Sequence, residues 1–333
     1  MYQVGLVAIG RNEGKRLEQC LRSALGTVEQ IVYVDSGSTD GSVSMARSIG
    51  TTVISLDLSI PFTAGRARNA GLEHLLELSP EIEFVQFVDG DCEIISGWLD
   101  AATAVLNTNA NFVAVCGWVK ERYPEWSIYN RICSVEWCLG EVGLIPSFAG
   151  NVMIRVAPFV AVGGFNSSII AGEEGELSFR LRQQGGQILR IDQECVWHDS
   201  DMKYFSQWWQ RAKRCGYAYT QVSHLYRSTS EGLFRREIRR TWLWGVIFPL
   251  CFLILVPVTS GLSLLGLLRY PLVVLKVATE TQKQGFRWNE SLLWGLSCAL
   301  SIFPEFLGSL KFLVTHWRGK PHMIIEHKKS SLA

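Results

Sequence analysis

The 333-residue sequence is short of charge, and it contains no Cys-x-x-Cys pair, no internal repeat and no low-complexity tract. Charged residues make up 19% of it against 48% hydrophobic, and the mean hydropathy is +0.14. This composition excludes a disordered or collagen-like chain. The nine cysteines (20, 92, 116, 133, 138, 195, 215, 251 and 298) are odd in number and irregular in spacing. That excludes a disulfide scaffold and a paired-cysteine zinc or redox motif. The opening stretch, Met1-Tyr-Gln-Val-Gly-Leu-Val-Ala-Ile9, has neither the positive n-region nor the cleavage site of a secretory signal, and it reads as a strand. Reduced thiols in a cytoplasmic setting are the expectation.

The net charge of +1 conceals a division. Residues 1–202 hold 14 Lys/Arg and 25 Asp/Glu, whereas residues 203–333 hold 18 and 6. Two regions of opposite sign imply two partners. A rear region that is apolar as well as basic points to a membrane and away from nucleic acid.

The front half alternates strand-like and helix-like runs. Val4–Ile9, Ile31–Val34, Thr52–Leu56 and Phe84–Val88 read as buried strands, and helices are expected near 17–25, 43–49 and 65–77. The order βαβαβαβ predicts a mostly parallel sheet with helices on both faces. Ligands of such sheets sit beyond the carboxyl ends of the strands. Arg11, Asn12, Glu13, Asp35, Asp89 and Asp91 all follow strands and are therefore expected around one crevice. Further strands are expected at Phe112–Val119, Val152–Arg155 and Gln187–Ile191, with a helix at about 174–184.

Asp89-Gly-Asp91 offers two carboxylates at a strand end, which suits a hard divalent cation; the same triplet also makes ordinary turns. Asp35 leads a Gly/Ser turn whose small residues admit a ligand to the backbone. Ala64-Gly-Arg-Ala-Arg-Asn-Ala-Gly71 places Arg66, Arg68 and Asn69 at a helix start, where a phosphate is well held. Glu173, Glu174 and Glu176 open another helix, as general base or simply as complements to the helix dipole.

Taken in order, Ala8-Ile-Gly-Arg-Asn-Glu-Gly14, Val34-Asp-Ser-Gly-Ser-Thr-Asp40, Ala67-Arg-Asn-Ala-Gly71, Asp89-Gly-Asp91 and Gly172-Glu-Glu-Gly-Glu-Leu177 resemble the motif series of glycosyltransferase family 2. The resemblance covers roughly residues 1–220. It implies a GT-A fold and an inverting transferase that uses a nucleotide-diphosphate sugar with Mg²⁺ or Mn²⁺. By the same resemblance Ile9, Arg11, Glu13, Asp35, Arg68 and Asp89 would meet the nucleotide, and Asp91 and His198 the metal. Glu174 would be the base, with Glu173 and Glu176 as rivals, since the family's usual Glu-Asp pair here reads Glu-Glu. Ser36 stands where many members carry a second Asp. The resemblance implies a nucleotide-sugar half over 1–110 and an acceptor half with the base over 111–220, and the composition marks 221–333 as a basic, apolar, membrane-associated helical region. Gly163-Gly-Phe165 would border the donor sugar. Trp208 and Trp209 would line an acceptor groove or pack at an interface. The competing readings are a weakly catalytic sugar-nucleotide-binding scaffold and a sugar nucleotidyltransferase, although the long Gly-rich loop of the latter is missing.

Thr241 to Leu268 contains no charged residue in 28 positions, enough to cross a bilayer once. Pro249, Pro257 and Gly261 allow a break or a re-entrant hairpin. Ser291–Val314, interrupted by Glu305 and Lys311, reads as a second span or as an amphipathic surface helix. Arg235, Arg236, Arg239 and Arg240 mark a cytoplasmic flank, and Lys320, Lys328 and Lys329 put the tail on the same side. The expectation is a membrane-attached enzyme with its catalytic part on the cytoplasmic side and a lipid-linked or membrane-proximal glycan acceptor, in polysaccharide biosynthesis.

Overall fold

In the computed structural model, which describes residues 4–229 and 231–326, the apolar runs of the front half form strands and the amphipathic runs between them form helices. In chain order these are β1 (Val4–Gly10), α1 (Lys15–Ala24), β2 (Gln30–Asp35), α2 (Ser42–Ser48), β3 (Thr52–Ser55), α3 (Ala64–Leu78), β4 (Phe84–Asp89), β5 (Cys92–Ile94), α4 (Trp98–Thr108) and β6 (Phe112–Glu121). There follow α5 (Ile128–Trp137), β7 (Gly143–Leu144), β8 (Val152–Arg155), α6 (Val156–Ala161), α7 (Glu173–Gln183) and β9 (Gln187–His198). The described residues divide into two compact units, one of residues 4–122 and 140–200, the other of residues 123–139 and 201–326.

The first unit is built on one sheet with strand order β3-β2-β1-β4-β8-β6-β9-β5, and β7 pairs with β9. Strands β3, β2, β1 and β4 are mutually parallel; β8 runs antiparallel to β4, and β6 and β9 are again parallel. Alternation along β1 explains the layers. Leu6 and Ala8 join the cluster that holds Leu17 and Leu21 of α1. Val7 and Ile9 join the opposite cluster, with Leu72 and Leu75 of α3. Both faces are covered, as the βαβ order requires. Helix α3 lies close on the sheet because Gly71 has no side chain: a Cβ there would stand 2.4 Å from Val7 Cγ1.

Strand order reverses at β1, with β2 on one side and β4 on the other. A crevice beyond the carboxyl ends of these strands is where such sheets bind ligands. The register aligns its rim, pairing Gly10 with Asp35 and Ile9 with Asp89.

The second unit is helical. Beyond α5 it contains α8 (Phe205–Leu225), α9 (Arg235–Trp242), a π-helical turn (Leu243–Ile247), α10 (Phe248–Ile254), a 3₁₀ stretch (Leu262–Leu268), α11 (Arg269–Lys283), α12 (Trp288–Leu300) and α13 (Ile302–Trp317). The uncharged run Thr241–Leu268 is therefore not a single span. It breaks at Ser260 and Gly261, both at positive φ, 50° and 88°. Among the described residues two helical segments, Leu262–Lys283, which takes in the end of that run, and Trp288–Trp317, are long and apolar enough to cross a membrane. The second contains the expected Ser291–Val314. Large apolar side chains on either side of this break are exposed, Val258 at 81% and Leu262 at 69%. Lys328 and Lys329, assigned to a basic tail from the sequence, lie outside the described residues.

Helices α8 and α13 meet backbone to backbone. A Cβ on Gly216 would fall 1.9 Å from the Glu305 carbonyl oxygen, and one on Gly308 would fall 1.9 Å from that of Lys213. Around this crossing Thr220 donates to Ser309 (2.8 Å), Trp242 Nε1 donates to Ser309 (2.9 Å), and Trp208 Nε1 donates to Ser297 (3.0 Å). Trp208 is buried.

Candidate active site

The loops after β1 and β2 are tied to each other. Asn12 adopts φ 57°, its N–H donates to Ser38 Oγ (2.9 Å), and its Oδ1 accepts from Thr39 N–H (2.7 Å). Asp35 is buried, and its carboxylate shapes its own turn. Oδ1 accepts from the Tyr33 hydroxyl and Oδ2 from the N–H groups of Gly37 and Ser38, each at 2.9 Å. Ile9 has its side chain in the core, and its carbonyl accepts from Gly90 N–H at 2.8 Å. Arg11 lies over the Phe62 ring at 5.2 Å, and Glu13 pairs with Arg16 at 2.7 Å. Ile9, Arg11, Glu13, Asp35 and Asp89 thus share one rim, as their strand ends implied.

Arg68 departs from the expected phosphate role. Its side chain is 2% exposed and is occupied by three carboxylates. Nη2 binds Asp89 at 2.9 Å, while Nη1 binds Glu173 at 2.9 Å and Glu174 at 3.4 Å. Phe165 packs beneath it at 5.3 Å. Arg66 is spent on main-chain carbonyls, those of Asp57 and Ile60. The helix start is therefore a clamp on α7 and β4. Asn69 extends it: its amide donates to the Phe165 carbonyl (2.7 Å) and accepts from the Phe165 N–H (2.9 Å). The Gly163-Gly-Phe165 turn is held against α3 in this way.

The three acids at the start of α7 are sorted by their surroundings. Glu176 is buried and bound by Arg180 at 2.6 Å, and Arg180 also donates to the carbonyls of Val162 and Gly164. Glu173 is buried on Arg68. Glu174 keeps 21% of its side chain exposed. Desolvation and the neighbouring Glu173 push its carboxyl up to about 7, against the opposing pull of Arg68. A carboxyl that titrates near neutrality and reaches solvent can exchange a proton.

Asp91 and His198 come together through strand pairing. β5 follows the Asp-Gly-Asp turn and runs antiparallel to β9, opposing Cys92 to His198. His198 Nε2 lies 3.3 Å from Asp91 Oδ2, and the Asp199 N–H donates to the Asp91 carbonyl at 3.0 Å. Glu121 Oε2 stands 4.0 Å from His198 Nδ1. Cys92 joins them, with Asp91, Cys92 and His198 donor atoms all within 4.8 Å of one another. Carboxylate, imidazole and thiol fit a borderline divalent cation. Burial and the nearby Asp91 and Asp89 carboxylates hold the Cys92 thiol well above its usual range.

Two residues of the site escaped sequence reasoning. Cys92 reads as an ordinary core residue. Gly150 reads as a loop glycine, yet a Cβ there would stand 2.7 Å from Arg68 Nη2 and 2.9 Å from Asp89 Oδ2. Its neighbour Asn151 accepts the Asp89 N–H through Oδ1 at 3.3 Å.

Residues 7–165 match the model of glycosyl transferase family 2. The glycosyltransferase AglE of Haloferax volcanii is 24% identical over 187 residues, which are 52% of this chain and 59% of that protein, so the match spans less than two-thirds of its relative. The mannosyltransferase PcManGT of Pyrobaculum calidifontis, solved in complex with GDP-Man and Mn²⁺, superposes with a TM-score of 0.62 at 15% identity, covering 94% of this chain and 88% of that one. TarS of S. aureus aligns with a TM-score of 0.47 at 15% identity, over 66% of this chain and 39% of its own. The sheet is that of a GT-A transferase. Residues 7–165 are thus similar to the family 2 glycosyltransferases in sequence, and the sheet they contribute to is similar in fold.

Proposed function

We propose that the protein is an inverting glycosyltransferase that moves a sugar from a nucleotide-diphosphate donor to a lipid-linked or membrane-proximal glycan, with Glu174 as general base. The observation that carries this reading is the Glu174 carboxyl, pushed up to about 7 by desolvation and Glu173, with 21% of its side chain exposed and a longer contact to Arg68 (3.4 Å) than its buried neighbours make to their arginines. The acceptor hydroxyl oxygen attacks the anomeric carbon while Glu174 takes its proton. The bond from that carbon to the diphosphate oxygen breaks, and the nucleoside diphosphate leaves with the electron pair. Ile9, Arg11, Glu13, Asp35 and Asp89 line the nucleotide end. Arg68 serves there by fixing Asp89 and the start of α7.

Asp91 and His198 would hold a divalent cation, Mn²⁺ or Mg²⁺, whose charge would stabilise the departing diphosphate. Support comes from their 3.3 Å approach and from the GDP-Man and Mn²⁺ held by the archaeal mannosyltransferase of the same fold. The two long apolar helices and the arginines at 235, 236, 239 and 240 support attachment at the cytoplasmic face of a membrane. The basic and apolar rear also supports a lipid partner over nucleic acid.

The test is a screen of nucleotide sugars with detergent-purified protein, reading donor hydrolysis and transfer to membrane extracts. Activity that EDTA abolishes and Mn²⁺ or Mg²⁺ restores is expected. Transfer at full rate in EDTA overturns the cation role, and no turnover of any donor overturns the function.

A further inference from the structure

We infer that residues 246–268 form a hairpin that dips into the hydrocarbon of one membrane leaflet and returns, so that Arg240 and Arg269 stay at the same membrane face. The inference rests on the membrane attachment proposed above and says how deep that attachment goes.

Surface chemistry supplies the first argument. Neither α10 nor the 3₁₀ stretch contains a buried residue. Leu250, Leu253, Ile254, Val258, Leu262 and Leu265 are all exposed, and no charged residue lies between Thr241 and Leu268. Legs that are apolar all round suit a surrounding hydrocarbon, whereas a protein partner would cover one face and leave the other wet. Charge resumes at once on either side of the run, at Arg240 and Arg269. Arg235, Arg236, Arg239 and Arg240 are exposed on α9, where anionic headgroups would meet them.

The polar groups of the turn are the second argument. Thr259 Oγ1 donates to the Leu255 carbonyl (2.8 Å) and accepts from the Ser263 N–H (3.1 Å). Ser263 Oγ donates to the Phe252 carbonyl on the opposite leg (2.7 Å), and the Gly261 N–H donates to the Val256 carbonyl (3.0 Å). The legs touch at Gly266, where a Cβ would stand 2.4 Å from Phe252 Cζ. Hydrocarbon offers no partner to a backbone group, so a turn placed in it has to satisfy its own.

Length is the third. The base of the hairpin is marked by Trp244, whose ring carries the Arg269 guanidinium at 4.1 Å and whose carbonyl accepts from the Tyr270 hydroxyl. Trp and Tyr settle at headgroup level, and Arg reaches it by extending its side chain. From Trp244 to Ile254 a helix rises about 15 Å. The 3₁₀ stretch, of 7 residues, rises about 14 Å. Each leg therefore matches one leaflet, half of the roughly 30 Å hydrocarbon core. Leu262–Lys283 is long enough to cross, but a crossing would carry Arg269 into the hydrocarbon, where a cation is costly.

The test uses full-length protein reconstituted into vesicles of phosphatidylcholine and phosphatidylglycerol. A nitroxide is attached through p-acetylphenylalanine at Val258 or at Leu268, and its relaxation by oxygen and by a water-soluble nickel chelate gives its depth. Val258 should lie deepest, reached by oxygen and shielded from nickel, with Leu268 near the headgroups. Val258→Asp and Leu262→Asp should each lower vesicle partitioning at least about tenfold, with unchanged circular dichroism. Val258 in water with Leu268 near the bilayer centre means that Leu262–Lys283 crosses, which overturns the hairpin and leaves the attachment standing. Vesicle binding with both positions open to nickel, or unaltered by the two aspartates, overturns it equally. Dipolar broadening between Val258 labels without oxygen contact means that a second copy covers the hairpin, and this too overturns lipid insertion. Failure of the wild type to bind vesicles overturns the attachment as well.

Discussion

Each unit sets buried acid against arginine, in different proportions. In the first, the single guanidinium of Arg68 holds Asp89, Glu173 and Glu174. In the second, the buried carboxylate of Glu305 accepts from Arg240 and from the Thr241 hydroxyl, each at 2.9 Å. The helical cluster matches one acid with one cation, and its effect is to join α9 to α13. The sheet cluster has more negative charge than its cation can balance, and desolvation, with the neighbouring Glu173 adding to it, raises the proton affinity of Glu174. A matched pair is a fastener, whereas a mismatched set stores reactivity in its most exposed member.

Removing the cation from the mismatched set should have the largest effect. Arg68→Ala leaves buried carboxylates without a partner, and loss of about 3–5 kcal/mol of stability together with loss of transfer is expected. Thermal unfolding and donor turnover would measure both. A stable, active Arg68→Ala protein would mean that the cluster has no such role.

Glu174→Gln is the next in size. Transfer should fall roughly 10²–10⁴-fold while the fold persists. In the wild type the rate should rise with pH through an inflection near 7, as Glu174 loses its proton, and Glu174→Gln should abolish that limb. The sign for stability is the reverse. A carboxyl raised from its ordinary 4.5 to about 7 in the folded protein stabilises fully below the lower value, and the contribution is lost as pH rises through the higher. Above pH 7 the glutamine variant should therefore unfold no earlier than wild type in calorimetry.

Gly150→Ala sharpens the comparison at smaller scale. Its Cβ would intrude between Arg68 and Asp89 without removing a charge, and a displacement of this kind should lower kcat/KM for the donor by roughly ten- to hundredfold. Glu305→Gln should do least. It weakens one matched pair, so an unfolding free energy lower by about 1–3 kcal/mol is expected, with transfer in detergent retained. Equal losses of transfer in Gly150→Ala and Glu305→Gln would erase the distinction between the two clusters.

The parallel half of the sheet was legible because β1, β2 and β4 are buried on both faces and read as unbroken apolar runs between turn signals. Helix α3 was legible by spacing, but the use of Arg68 was not. Nothing local tells a guanidinium at a helix start whether acids 21 and 105 residues away will consume it. Glu305 is a similar case. Within an apolar run it read only as an interruption, and the structure turns it inward to Arg240 and Thr241. Helices α4 and α5 and the short β5 went unread, and with β5 went the opposition of Cys92 to His198. The grouping of residues 123–139 with the rear helices is set by packing across distant sequence, which no local pattern encodes.

The crossing of α8 and α13 has a consequence for the surroundings in which the second unit can persist. Where Gly216 and Gly308 let two backbones touch, and where hydroxyls and indoles bridge the helices, cohesion does not depend on water being driven from between apolar faces. Close backbone contact and interhelical hydrogen bonds hold as well in hydrocarbon as in an aqueous phase. The helix pair is thus indifferent to its solvent, and transfer from water to detergent or lipid should leave its mutual arrangement unchanged.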